Sequence, residues 1–156
     1  MIRDCFFCHC DVPAMPQILI SQYFDAPIEQ VFARFDTHAK LNQLFAPLQV
    51  ERVQTATEGS HPDGVGSVRH MGVGPFKPVA EQITAFEPNQ RIEYKLINNP
   101  LIRNHRGEMR FTPKDAGTLV SYTIELEGRI PFSASVMLAV LKKALTDGLA
   151  RMARRA

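Results

Sequence analysis

This chain of 156 residues contains no tryptophan, and its three cysteines all lie within the first ten positions. No apolar run approaches the roughly 20 residues that cross a bilayer, so we predict no integral membrane segment. The net charge of +2 is too small for a nucleic-acid partner, because phosphate binding needs a dense basic face. With 45% apolar and 22% charged residues, the chain has the composition of a single globular domain.

Thiols and an imidazole crowd the N-terminus, where Cys5, Cys8, His9 and Cys10 follow one another closely. Such side chains could begin a zinc site, but no second cysteine pair follows, and four ligands within six residues would have to wrap one ion tightly. We therefore interpret residues 1–16 as a reduced extension and predict neither metal nor cofactor. The segment also lacks the long apolar stretch of a signal peptide, so we expect a cytoplasmic protein.

Hydrophobic periodicity divides the rest of the chain into strands and helices. A strand at 18–24 precedes two short helices, which begin near Pro27 and Thr37, and Pro47 ends the second. The apolar period then changes to two, which predicts strands at 50–57, 66–73, 79–86, 92–97, 105–112 and 119–126. Pro131 opens a final helix of about twenty residues, near 30 Å long. This order predicts an α+β fold with an antiparallel meander.

Several local motifs resemble those of the START-like superfamily, also called SRPBCC or Bet v 1-like, which includes polyketide cyclases and dehydrases. They are the strand-to-helix segment 20–32, the G-x-x-R at 66–69, the segments 81–88 and 91–94, and the turn that joins 111–113 to 117–122. The family often has tryptophan where this chain has Phe45 and Tyr122. Each motif is weak alone, but together, in this order, they are fairly specific for the fold.

The resemblance implies a helix-grip domain over residues 17–156. In that fold, a seven-stranded curved antiparallel sheet surrounds a long C-terminal helix, with two short helices after the first strand. It also implies that the protein binds a small hydrophobic molecule, such as a lipid, isoprenoid or polyketide-like compound, in a cavity between sheet and helix. Two alternatives stay open: a cyclase- or dehydratase-type enzyme with a cavity acid or base, and a ubiquinone-binding or partner-handling module. The sequence assigns no catalytic residue and no oligomeric state.

Strand parity predicts which side chains face the cavity, because alternate residues point to opposite faces of a sheet. A hairpin turning near Gly74 places Arg69 opposite Glu81, with Met71 and Val73 on the same face. We interpret this pair first as a rim pair whose Arg69 reaches solvent, and second as a contact for a polar group of the ligand. The segment around Phe76 suits either a flap over the entrance or an ordinary hairpin tip.

Parity along the later strands and the apolar face of the last helix complete the set of candidate ligand-binding residues. The hydroxyls of Tyr94 and Tyr122 either contact the ligand or belong to core tyrosines that bond to water. The predicted set is Arg69, Met71, Val73, Phe76, Glu81, Ile83, Tyr94, Leu96, Met109, Phe111, Tyr122, Leu141 and Leu145.

Overall fold

The computed structural model describes residues 15–154 and contains seven strands and three helices. In chain order these are β1 (Gln17–Phe24), α1 (Ile28–Phe32), α2 (Asn42–Phe45), β2 (Gln49–Gln54), β3 (Val68–Val73), β4 (Phe76–Glu87), β5 (Arg91–Ile97), β6 (Ile102–Lys114), β7 (Gly117–Gly128) and α3 (Ser133–Arg154). Apart from its last two residues, the predicted extension 1–16 lies outside the described residues. Within those residues, no helix is long and apolar enough to cross a membrane.

All seven strands form one curved antiparallel sheet in the order β1-β7-β6-β5-β4-β3-β2. Strands β2 to β7 are a meander, as the short connections predicted, and β1 pairs with β7 at the far edge. Buried and partly exposed positions alternate along β7, which is what one face on a core and one face toward solvent produces. The predicted α+β helix-grip fold is therefore confirmed.

The hairpin of β3 and β4 has the predicted register only over part of its length. Arg69 pairs with Glu81 and Met71 with Val79, as hairpin symmetry indicated. Beyond Met71 the register shifts, and Val73 pairs with Phe76 instead. This irregularity turns the hairpin tip outward, because one extra residue reverses the side-chain parity. Val73 and Phe76 are consequently 63% and 72% exposed. The predicted place of Val73 on the inner face is therefore wrong, whereas Phe76 lies at the hairpin tip, where both of its interpretations placed it.

Helix α3 crosses the concave side of the sheet and packs on β1, β7 and α2. Its 22 residues span about 33 Å at 1.5 Å per residue, and its buried side chains recur at helical spacing. Leu138, Leu145, Leu149 and Met152 form the buried face. The predicted second helix, at 37–45, is helical only from Asn42, since turns occupy the preceding residues.

Gly148 lets α3 approach α2 closely. A Cβ atom at this position would lie 2.3 Å from the backbone oxygen of Leu44, far inside van der Waals contact. The backbone of α2 cannot move aside as a flexible side chain could. Glycine is therefore required here for packing, although it weakens a helix by about 1 kcal/mol relative to alanine.

We predict that Gly148→Ala destabilises the protein by roughly 1–3 kcal/mol, as overpacking does, despite alanine's better helix propensity. Urea unfolding measures the change in the free energy of unfolding. Thr146→Ala, at an exposed position of the same helix, is the matched control and should leave stability unchanged or slightly raised. Equal effects of the two substitutions would contradict the close packing of α3 on α2.

Candidate functional site

A cavity of about 280 Å³ lies between the sheet and α3. Its walls come from α2 and the residues after it, from strands β3 to β7, and from α3 between Met137 and Leu145. Most of its lining is apolar, with a few polar side chains among them, which is typical of sites for small molecules. The lining residues are Phe45, Leu48, Met71, Val79, Glu81, Tyr94, Leu96, Asn99, His105, Ile124, Leu126, Met137, Leu141 and Leu145.

Six of the thirteen predicted site residues line this cavity: Met71, Glu81, Tyr94, Leu96, Leu141 and Leu145. Arg69 and Tyr122 lie buried beside the lining, in contact with Glu81 and Tyr94 respectively. Ile83, Met109 and Phe111 belong to the solid core. Val73 and Phe76 are on the surface.

Aromatic packing explains why the inner face is solid at one end and hollow at the other. Phe111 contacts Phe32 and Phe35, with ring centroids 5.0 and 5.4 Å apart, and Phe32 also contacts Phe86 at 5.6 Å. These edge-to-face rings fill the space under α1. Parity alone cannot show this, because it tells which way a side chain points and not what meets it there.

Eight lining residues are not in the predicted set, although strand parity places three of them, Val79, Ile124 and Leu126, on the inner face. Strand parity also carried a signal for His105, since it has the same parity as Met109. Helical spacing carries a weaker one for Met137. The remaining three, Phe45, Leu48 and Asn99, lie in or beside irregular segments where no periodic signal exists.

The ion pair of Arg69 and Glu81 is buried against the cavity wall. Arg69 Nε donates to Glu81 Oε2 at 2.8 Å, and Nη2 lies 2.7 Å from the same oxygen. The guanidinium carbon stands 4.7 Å from the centre of the Tyr94 ring and 5.8 Å from that of Phe45. Arg69 is 0% exposed, so its interpretation as a rim residue that reaches solvent is wrong. The rings of Phe45 and Tyr94 cover the guanidinium group, whereas the sequence interpretation had exposed it to water.

Burial makes this pair expensive. Removing two charges from water costs several kcal/mol per ion, and attraction between them often only balances that cost. Burial raises the pKa of Glu81, and the opposing effect of Arg69 is smaller. A buried pair of this kind is therefore weak evidence for added stability.

Tyr94 and Tyr122 share a hydrogen bond between their hydroxyl groups, so neither depends on water alone for a partner. Burial raises the pKa of both phenols above the usual range, and both are therefore neutral. Gly107 makes this contact possible, because a Cβ there would lie 2.1 Å from Tyr94 Cζ. The Tyr94 ring thus crosses β6 to reach β7.

His105 contributes a neutral imidazole to the cavity lining. Its Nδ1 accepts a hydrogen bond from the Leu96 backbone N–H at 3.2 Å. Burial, followed by the nearby Arg69 charge, lowers the pKa of His105 to about 4. The single proton of the neutral ring therefore resides on Nε2.

A second buried histidine lies outside the cavity lining. The His38 backbone N–H donates to Asp63 Oδ2 at 2.9 Å, and Arg52 Nη1 donates to Oδ1 at 2.8 Å. Burial, followed by the charge of Arg69, lowers the pKa of His38 to about 4. Within residues 15–154, no three His, Cys, Asp or Glu side chains stand close enough together to hold a metal ion. The cysteine-rich leader lies outside those residues.

A curved seven-stranded sheet that wraps one long helix and leaves a cavity between them defines the Bet v 1-like, or SRPBCC, class of helix-grip proteins. Residues 15–156 match the family described as polyketide cyclase / dehydrase and lipid transport, and the chain belongs to that family. The family's description points to a fold that binds hydrophobic ligands. No curated protein sequence matches the chain significantly.

Solved structures support the same class at low sequence identity. A Thermobifida fusca protein superposes with a TM-score of 0.72 at 20% identity, over 89% of this chain and 91% of that one. A Nitrosospira multiformis protein has a TM-score of 0.68 at 20% identity, over 88% of this chain and 96% of that one. The structure of Ara h 8.0201 has a TM-score of 0.64 at 12% identity, over 92% of this chain and 100% of that one. At these identities the similarity shows the fold alone.

The lowered pKa values of His38 and His105 predict an acid-sensitive fold. Both have an ordinary pKa of 6.5, lowered to about 4 in the folded protein, so between these pH values the unfolded chain binds more protons. Stability is therefore complete above pH 6.5 and falls as the pH approaches 4. The slope of the unfolding free energy against pH, measured with urea across this range, should correspond to the uptake of up to about two protons on unfolding. In His105→Gln the slope should fall by about one proton, and an unchanged slope would contradict the buried neutral state of His105.

Proposed function

We propose that this protein binds a small apolar molecule in the cavity between the sheet and α3. The observation that carries the proposal is the cavity itself, with walls that are apolar except for Glu81, Tyr94, Asn99 and His105. Apolar walls favour transfer of an apolar molecule from water, and sparse polar groups orient it. The family's description, which includes lipid transport, supports a ligand of this kind.

The surface beside α3 supports an access route for such a molecule. A shallow apolar groove is formed by the chain around Phe132 and by the first turns of α3, and it includes Met137 and Leu141. Those two side chains also line the cavity. These side chains stand between the groove and the cavity, so a change in their rotamers would open a route along apolar surface.

Leu141→Trp tests the proposal by filling the cavity from α3. A suitable probe is 2-naphthol, because its fused rings can be excited at wavelengths longer than those that tyrosine or the introduced tryptophan absorbs. We predict one-to-one binding by the native protein and at least about tenfold weaker binding by Leu141→Trp, because the larger ring takes up the probe's volume.

Ala144→Trp is the matched control, since Ala144 is exposed on α3 and outside the cavity lining. It should bind 2-naphthol as the native protein does. Circular dichroism of both variants confirms that they fold. Absence of binding to the native protein, or equal binding by a folded Leu141→Trp, would refute this cavity as the ligand site.

A further inference from the structure

Building on the proposed function, we propose that the cavity selects a neutral ligand of about ten to twelve non-hydrogen atoms, held at opposite ends by His105 and Glu81. His105 Nε2–H donates to an acceptor such as a carbonyl oxygen, and Glu81 Oε1 accepts from a donor such as a hydroxyl group. Lipids with two acyl chains are excluded by size.

The cavity volume sets the size of the ligand. An apolar cavity of roughly 150 Å³ accommodates benzene, whereas drug-sized molecules occupy about 300–1,000 Å³. At about 280 Å³ this cavity has nearly twice the volume that benzene requires. Two fused six-membered rings match that space, and a molecule with two long chains does not.

The bond from Leu96 fixes His105 as a donor toward the ligand. A neutral imidazole has one N–H, and its other nitrogen is an acceptor. Because Nδ1 already accepts from the Leu96 N–H, the ring presents Nε2–H to a partner. Within residues 15–154 no hydrogen bond uses this N–H, so a ligand that supplies an acceptor adds one hydrogen bond.

Glu81 supplies the complementary acceptor. Both contacts from Arg69 fall on Oε2, and within residues 15–154 no hydrogen bond uses Oε1. Arg69 remains charged and needs a carboxylate as its counter-charge, so Glu81 accepts and does not donate. The pair is already neutral together, and a charged ligand would bring an unpaired charge into an apolar site.

Leu96 marks the separation of the two polar groups. Glu81 is its cross-strand partner on β4, and His105 bonds to its backbone from β6. Strands lie about 4.8 Å apart, so the backbones of Glu81 and His105 stand about 10 Å apart. The ligand's acceptor and donor therefore belong at opposite ends of its rings.

Three neutral probes of nearly equal size test this arrangement: tetralin, 1-tetralone and 6-hydroxy-1-tetralone. Calorimetric titration at mildly acidic pH keeps the phenol neutral. The ketone should bind about tenfold more tightly than tetralin, and the hydroxyketone more tightly again by a similar factor, since each adds one hydrogen bond. Dimyristoylphosphatidylcholine should not form a one-to-one complex in native mass spectrometry, and such a complex would overturn the size limit.

Two variants test whether His105 is responsible for the higher affinity of 1-tetralone relative to tetralin. His105→Leu removes the donor, so the roughly tenfold preference for 1-tetralone over tetralin should disappear, whatever the affinity for tetralin itself. His105→Gln keeps both functions, because its amide oxygen accepts from Leu96 and its NH₂ group donates to the ligand, and it should retain the preference. If His105→Leu does not fold, the native probe series and His105→Gln still decide.

The outcomes separate this inference from the proposed function. If none of the three probes binds, the proposed function fails. If all three bind equally to the native protein, or if a folded His105→Leu keeps the ketone preference, the cavity binds apolar molecules but the assignment of its two ends is wrong.

Discussion

The structure is organised around one buried charge. Arg69 is fully enclosed, and its guanidinium group needs both a counter-charge and a weakly hydrated surface. Glu81 supplies the first from the neighbouring strand, and the Tyr94 ring supplies the second. The Tyr94 ring reaches its position only because residue 107 is a glycine, and its hydroxyl then meets Tyr122 on β7. The ion pair joins β3 to β4, the Tyr94 ring adds β5, and the hydroxyl bond to Tyr122 reaches β7, all along the wall of the cavity.

Two kinds of packing divide the space between the sheet and α3. Beneath α1, phenylalanine rings from helix and sheet interlock and leave no room for a ligand. Near the N-terminal half of α3, the cavity lies between the side chains of Leu141 and Leu145 on one side and the polar groups of the sheet on the other. The ion pair lies at the boundary of these regions. In the proposed site, Glu81 orients the ligand, and the pair adds no net charge because its two charges balance.

The sequence predicted the fold well because strand and helix periods are local properties, and the pairing of Arg69 with Glu81 follows from hairpin symmetry. It failed at Val73, since a one-residue register shift reverses parity and leaves no clear mark in the residue pattern. It also failed to bury Arg69, because burial there depends on Phe45 and Tyr94, which lie far away in the chain. His105 shared the inward parity, but its role depends on one backbone hydrogen bond that no sequence pattern encodes.

The central claim is that the Arg69–Glu81 pair serves ligand binding and not stability. The most direct test combines Arg69→Met with Glu81→Leu and measures both thermal unfolding and the affinity for 6-hydroxy-1-tetralone. Apolar replacements of a buried pair are often neutral or stabilising. We therefore expect an unfolding temperature no lower than that of the native protein, with the hydroxyketone bound about tenfold more weakly and tetralin bound as before. A large loss of stability, or unchanged affinity for the hydroxyketone, would contradict the account.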